Sequence, residues 1–158
     1  MKFISFNHDN SEKFGIIENN LITDLTGKID GASSLKELIK IKKIKEAKEY
    51  AKSNPGSIKP DQIKYSPLIP NPGKIICVGL NYSEHVKETN RTVEENPVIF
   101  HRFPESQTAH MQAIQRPTVS ESLDFEGEMA VVMDEGGKHI KPEDLSLIHI
   151  SEPTRQAE

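Results

Sequence analysis

Asp124-Phe125-Glu126-Gly127-Glu128-Met129-Ala130-Val131-Val132-Met133 is the stretch on which the fold of this chain turns. The apolar run from Met129 to Met133 reads as a strand. A strand begun at Asp124 puts Glu126 and Glu128 on one face, two residues apart. Two carboxylates that close resist joint ionisation unless positive charge sits between them. A hard divalent cation supplies it, because Mg2+ and Ca2+ prefer carboxylate oxygens. Gly127 falls on the opposite face and leaves room for a bulge or a close backbone approach. An isolated Glu-x-Glu is ordinarily no more than a solvated, acidic strand start. The metal interpretation therefore needs support from elsewhere in the chain.

That support lies upstream. Lys74-Ile75-Ile76-Cys77-Val78-Gly79-Leu80-Asn81-Tyr82 reads as a buried type of strand running into a turn. His85 and Glu88 follow, three residues apart, which makes them neighbours on a helical turn. A carboxylate beside an imidazole orients the ring and raises its basicity, as a general base requires. His-x-x-Glu alone is commonly a surface pair. A strand-end Gly-x-Asn-Tyr, then His-x-x-Glu, then a strand carrying Glu-Gly-Glu is a far rarer combination.

From Lys74 to about Leu145 these segments resemble the first part of the fumarylacetoacetate hydrolase family domain. The matching pieces are Lys74 to Tyr82 with His85 and Glu88, Pro97-Val98-Ile99-Phe100, Arg102-Phe103-Pro104-Glu105-Ser106-Gln107, and Asp124 to Val132. Residues 1–70, with Ser5-Phe6-Asn7-His8-Asp9, more loosely resemble the small N-terminal region of one bacterial branch. The resemblance implies an α+β, mainly β fold. A small mixed α/β domain (1–70) precedes the first part of a β-rich catalytic domain (71–145). It further implies a divalent-metal enzyme acting on 2-oxo acids or 1,3-dicarbonyl compounds by hydrolysis, decarboxylation or isomerisation. Glu126 and Glu128 match two ligands of a Mg2+ (or Mn2+ or Ca2+) ion, and His85 with Glu88 match the water-activating pair. The intact family member is expected to be a homodimer.

The other polar candidates stay open. Arg102 can receive a substrate carboxylate, since a guanidinium suits bidentate pairing, or it is an exposed strand alternate. Tyr82 binds substrate or packs at the mouth beside Asn81. Asp124 suits a turn or supporting role better than a ligand role. His101 and His110 show no partner in sequence and read as structural.

Composition limits the alternatives. The chain has 158 residues, 35% of them hydrophobic and 28% charged, with no Trp and a net charge of −4. That balance argues against nucleic acid as the main partner and leaves a thin core. The single cysteine, Cys77, cannot form an internal disulfide and reads as a buried thiol. The charged N-terminus lacks a secretory apolar core, and no apolar run approaches the roughly 20 residues of a membrane span. A cytoplasmic location is expected.

Along the chain, 2–6, 13–18 and 21–25 read as strands, the latter two joined by a tight turn at Asn19-Asn20. Ser34-x-x-Glu37 is a capping box that opens a single helix with Leu35, Leu38, Ile39, Ile41 and Ile44 inward. Its lysines read as a solvated face paired with Glu37, Glu46 and Glu49. Ser66-Pro67-Leu68-Ile69-Pro70-Asn71-Pro72-Gly73 cannot be helical and marks the domain boundary. Beyond it, strands are expected at 74–79, 97–103, 117–120, 124–133 and 138–140. After Leu145 the family would continue into another strand and a segment bearing a third, Asp ligand, which residues 146–158 do not match. They resemble a peptide that recurs at the ends of interrupted translations. The expectation is a non-native tail, with His149 not a ligand and residues 1–158 alone inactive or a non-enzymatic remnant.

Overall fold

The computed structural model describes residues 1–80, 82, 96–125, 127–134, 136–143 and 149–151. Strand outweighs helix among them. They form two compact units: Met1–Leu68 with the described residues from Thr108 onward, and Ile69–Gln107.

The first unit is built on β1 (Lys2–His8), β2 (Ser11–Glu18) and β3 (Leu21–Asp24), with β4 (Lys64–Ser66) arriving later. The antiparallel order is β3-β2-β1-β4. Both hairpins close in two residues, since His8 faces Ser11 and Glu18 faces Leu21. The loop residues Asp9, Asn10, Asn19 and Asn20 have φ of 52°, 59°, 51° and 61°. Two successive positive φ values make a type I′ turn, whose twist matches the flanking strands and which Asn and Asp tolerate. The expected Asn19-Asn20 turn is present. Asp9-Asn10 is a second turn of the same chemistry.

Alternation places Phe14 and Ile16 on one face of the sheet and Phe6, Gly15 and Ile22 on the other. All five are buried, so the sheet is covered on both sides. Gly15 has no room for a side chain: a Cβ there would lie 2.2 Å from the Thr23 carbonyl oxygen. The stretch after the helices returns along β3, where Ile22 and Ile58 exchange backbone hydrogen bonds of 2.8 and 3.4 Å.

The helical region departs from the single helix expected. It is α1 (Leu35–Lys40) and α2 (Ile44–Ser53). Ser34 caps α1, its hydroxyl accepting from the Glu37 amide at 3.2 Å. The Glu37 carboxylate does not return to Ser34 as a capping box requires. It accepts from the Ser33 amide at 2.8 Å and the Ser33 hydroxyl at 2.5 Å. These two bonds, the hydroxyl first, hold the carboxyl below its ordinary value. The break between the helices is a Schellman motif. Lys43 N–H donates to the Leu38 carbonyl, Lys42 N–H donates to the Ile39 carbonyl, and Lys42 sits at φ 58°. The apolar spacing runs through the break, so a lysine in the glycine position of the motif left no mark in the pattern. Leu35, Leu38 and Ile39 of α1 are buried, with Ala47 and Ala51 of α2.

The second unit contains β5 (Ile75–Gly79) and β6 (Val98–Arg102), an antiparallel pair close to the expected strands. Further on, β7 (Val131–Met133) pairs with β8 (His149–Ser151). Among the described residues of the expected strand 124–133, the last three are strand. Only those find a ladder partner, and a strand backbone needs one. Residues 117–120 form a turn closed by Ser120 N–H on the Pro117 carbonyl, not a strand, and 138–140 is irregular.

Replacing Lys42 with Gly should raise the thermal midpoint by a few degrees, because a left-handed lysine costs about 1 kcal/mol relative to glycine; thermal circular dichroism measures it, and a lowered midpoint would refute the assignment. A second expectation concerns Asp24. Burial pushes its carboxyl upward, but hydrogen bonds from Lys13 (2.7 Å) and from the Thr26 amide and hydroxyl, with the Lys13 charge, outweigh that and leave it below its ordinary 3.8. A depressed folded value stabilises above 3.8 and is lost as pH falls through it. Asp24→Asn should therefore lower urea stability at neutral pH, with the gap to the parent closing below about 3.8.

Candidate functional site

Glu128 is exposed and precedes β7 without belonging to a strand. Glu126 lies outside the described residues, so the convergence of the two carboxylates is not part of the described geometry. The ordering that alternation would impose is missing at Glu128, because no ladder extends that far. Gly127 has open space where a side chain would go. Asp124 bonds locally, its Oδ1 accepting from the Phe125 amide at 2.8 Å.

His85, Glu88 and Asn81 also lie outside the described residues. The elements that lead to them do not. β5 delivers the chain at Gly79, and Leu80 follows at φ 55°. A branched apolar residue in left-handed backbone costs about 1–2 kcal/mol. Such strain concentrates where a strand exit must be aimed. Nothing in the sequence signalled it, since glycine or asparagine is the usual occupant. Tyr82 lies two residues on, half exposed at 49%.

Arg102 ends β6 opposite Ile75 and is exposed. Register and alternation put it on the face of the β5–β6 pair that carries Cys77 and Phe100. The other face carries Ile76, Val78, Ile99 and His101. His101 packs edge-on to Phe103 with ring centres 5.4 Å apart, and His110 packs edge-on to Tyr65 at 4.9 Å. Cys77 is half-buried rather than buried.

The apolar side chains of this pair are unusually open: Ile76 is 61% exposed, Ile99 56% and Phe100 45%. A two-stranded ribbon is marginal by itself in water. Among the described residues no group of three His, Cys, Asp or Glu side chains stands close enough to hold a metal ion. The donor chemistry at Glu128 suits a hard cation, but the described geometry assembles no ligand set around it. No helix among the described residues is long and apolar enough to cross a membrane.

Residues 74–151 match the family model described as fumarylacetoacetate (FAA) hydrolase C-terminal. A rat (Rattus norvegicus) protein named oxaloacetate tautomerase Fahd2a, mitochondrial, is 43% identical over 84 residues, which are 53% of this chain and 27% of the relative. A Xenopus laevis protein named oxaloacetate tautomerase fahd2, mitochondrial, is 38% identical over 101 residues, 64% of this chain and 32% of that protein. The chain therefore spans about a quarter to a third of the curated relatives it matches. A putative HpcE protein from Mycobacterium smegmatis superposes with a TM-score of 0.65 at 21% identity. The superposition covers 91% of this chain and 51% of that one, and it shows a shared fold.

Changing Ile76 and Ile99 to Thr should reduce fluorescence of a bound hydrophobic dye. Stability should shift by no more than about 0.5 kcal/mol, because both side chains already face water. Dye binding unchanged by the double substitution would show that the open face lies elsewhere.

Proposed function

This chain belongs to the fumarylacetoacetate hydrolase family, and from that premise we propose that the whole protein is a metal-dependent enzyme that enolises 2-oxo acids. Interconversion of oxaloacetate tautomers is the first candidate reaction. The observation that carries the proposal is the 43% identity, across half the chain, to a protein named for oxaloacetate tautomerisation. Cleavage or decarboxylation of acylpyruvates shares the enolate and is the second reading, favoured by the hydrolase in the family description.

Glu126 and Glu128 are assigned to hold Mg2+, or Mn2+ or Ca2+ in its place. Such an ion, when bound, stabilises negative charge on an oxygen of the substrate. His85 moves the proton at the carbon beside the ketone, and Glu88 orients the ring and stabilises its protonated form. Tautomerisation asks nothing more of the base, whereas hydrolysis requires the same imidazole to take a proton from water. Arg102 takes the substrate carboxylate in a bidentate pair, and Tyr82 borders the entrance. The chemistry needs carboxylate-bearing small molecules as partners, and neither nucleic acid nor a membrane. A cytoplasmic homodimer is the proposed state of the whole protein. The relatives named above carry "mitochondrial" in their own names.

The division 1–70, 71–145 and 146–158, with the last segment non-native, belongs to the same proposal. So does weak activity of residues 1–158 when alone. Two carboxylates without a third ligand hold Mg2+ poorly, because the ion keeps its waters unless an octahedral site is offered. In an oxaloacetate enol–keto assay, a form extended by an Asp-bearing segment should turn over, and should stop in EDTA. Residues 1–158 should be at least about a hundredfold slower, the usual cost of one missing electrostatic contact. His85→Ala in the extended form should cost a similar factor. Equal rates from both lengths would refute the ligand assignment, and no turnover from either would refute the substrate class.

A further inference from the structure

The segment Ala109–Gln112 grips the outer edge of the N-terminal sheet. β4 is an edge strand, paired with β1 on one side only. On its other side Gln112 Nε2 donates to the Tyr65 carbonyl at 2.8 Å. The His110 ring stands edge-on to the Tyr65 ring at 4.9 Å and 86°. Ala109 is 8% exposed, buried although it lies far from the sheet in sequence. The segment is itself a closed turn, Gln112 N–H donating to the Ala109 carbonyl at 3.1 Å. Its apex, Met111, is held at φ 61° with its side chain 85% exposed. A residue in left-handed backbone that packs nothing is kept there by its neighbours, so the conformation serves His110 and Gln112 rather than Met111.

We propose that Ala109–Gln112 is a strap. It closes the β4 edge of the sheet and ties the chain that runs on to Glu128 to the N-terminal unit, with Tyr65 as its anchor. The opposite edge is closed in a comparable way, by the Ile22–Ile58 backbone exchange on β3. An unpaired edge is a template for pairing with another chain, and natural sheets cover it. The strap is independent of the metal assignment, since its readout is amide exchange and not turnover.

Hydrogen–deuterium exchange on residues 1–158 tests it. In the parent chain, peptides containing 109–112 should exchange more slowly than the neighbouring 113–116. Gln112→Ala and Tyr65→Leu should each speed exchange of 109–112 about fivefold, the worth of one modest contact, with the β1 and β2 peptides unchanged. Met111→Gly should slow it about fivefold by removing the left-handed cost. If Tyr65→Leu also exposes the β1 and β2 peptides, the sheet has failed and Gln112→Ala with Met111→Gly decide. Exchange of 109–112 at the unstructured rate in the parent chain overturns the strap, as does protection unmoved by Gln112→Ala and Met111→Gly.

Discussion

The register of β1 against its neighbours is the constraint on which the N-terminal unit depends. β1 pairs with β2 on one edge and β4 on the other. A slip of one residue would turn Phe6 to the face that carries Phe14 and Ile16, and would put a polar neighbour in its place. Two features prevent it. The Asp9-Asn10 turn permits only one way to close the hairpin, because both residues need positive φ. Ser5 adds a lock at the other end of the chain segment, its hydroxyl donating to the Leu68 carbonyl at 2.7 Å. That bond holds Leu68, two residues past β4, at a fixed point on the central strand, so the Pro-rich stretch leaves the sheet from a defined place.

What the sequence disclosed of this unit followed from chemistry local to a few residues. Asn19-Asn20 and Ser34 announce their conformations because their side chains tolerate or satisfy special backbone geometry. Asp9-Asn10 carried the same signal, and only the shorter strand boundaries expected around it kept it from view. Lys42 is different in kind. Its left-handed φ follows from the tertiary demand that α1 and α2 pack as separate pieces, and a lysine gives no hint of it. Glu37 shows the same limit on a smaller scale. The spacing correctly named a residue that folds back on the helix start, but geometry decided that Ser33 receives it.

The candidate site was legible as chemistry and not as geometry. The strands at 75–79 and 98–102 could be read because β-branched and aromatic residues cluster there and pair with each other. The stretch from Asp124 looked as strand-like as either. Among its described residues none before Val131 is strand, because strand formation depends on a partner that another part of the chain must supply, and periodicity carries no information about that supply. Leu80 adds a second gap. The direction in which β5 hands over to Asn81 and Tyr82 is set by a strained dihedral, and no apolar pattern encodes it.

Exposure around Glu128 ties the cation chemistry to packing. Phe125 and Met129 flank the acidic stretch and are 84% and 65% exposed. A carboxylate between two unpacked apolar side chains has no fixed direction and keeps its full shell of water. Exchanging that water for a divalent cation is favourable only when several oxygens are already held at the spacing the ion demands. Burial of Phe125 and Met129 is the step that would fix the backbone on either side of Glu128, and alternation would then aim Glu126 and Glu128 together. On the proposed assignment, cation affinity at these glutamates is a packing property first and an electrostatic one second.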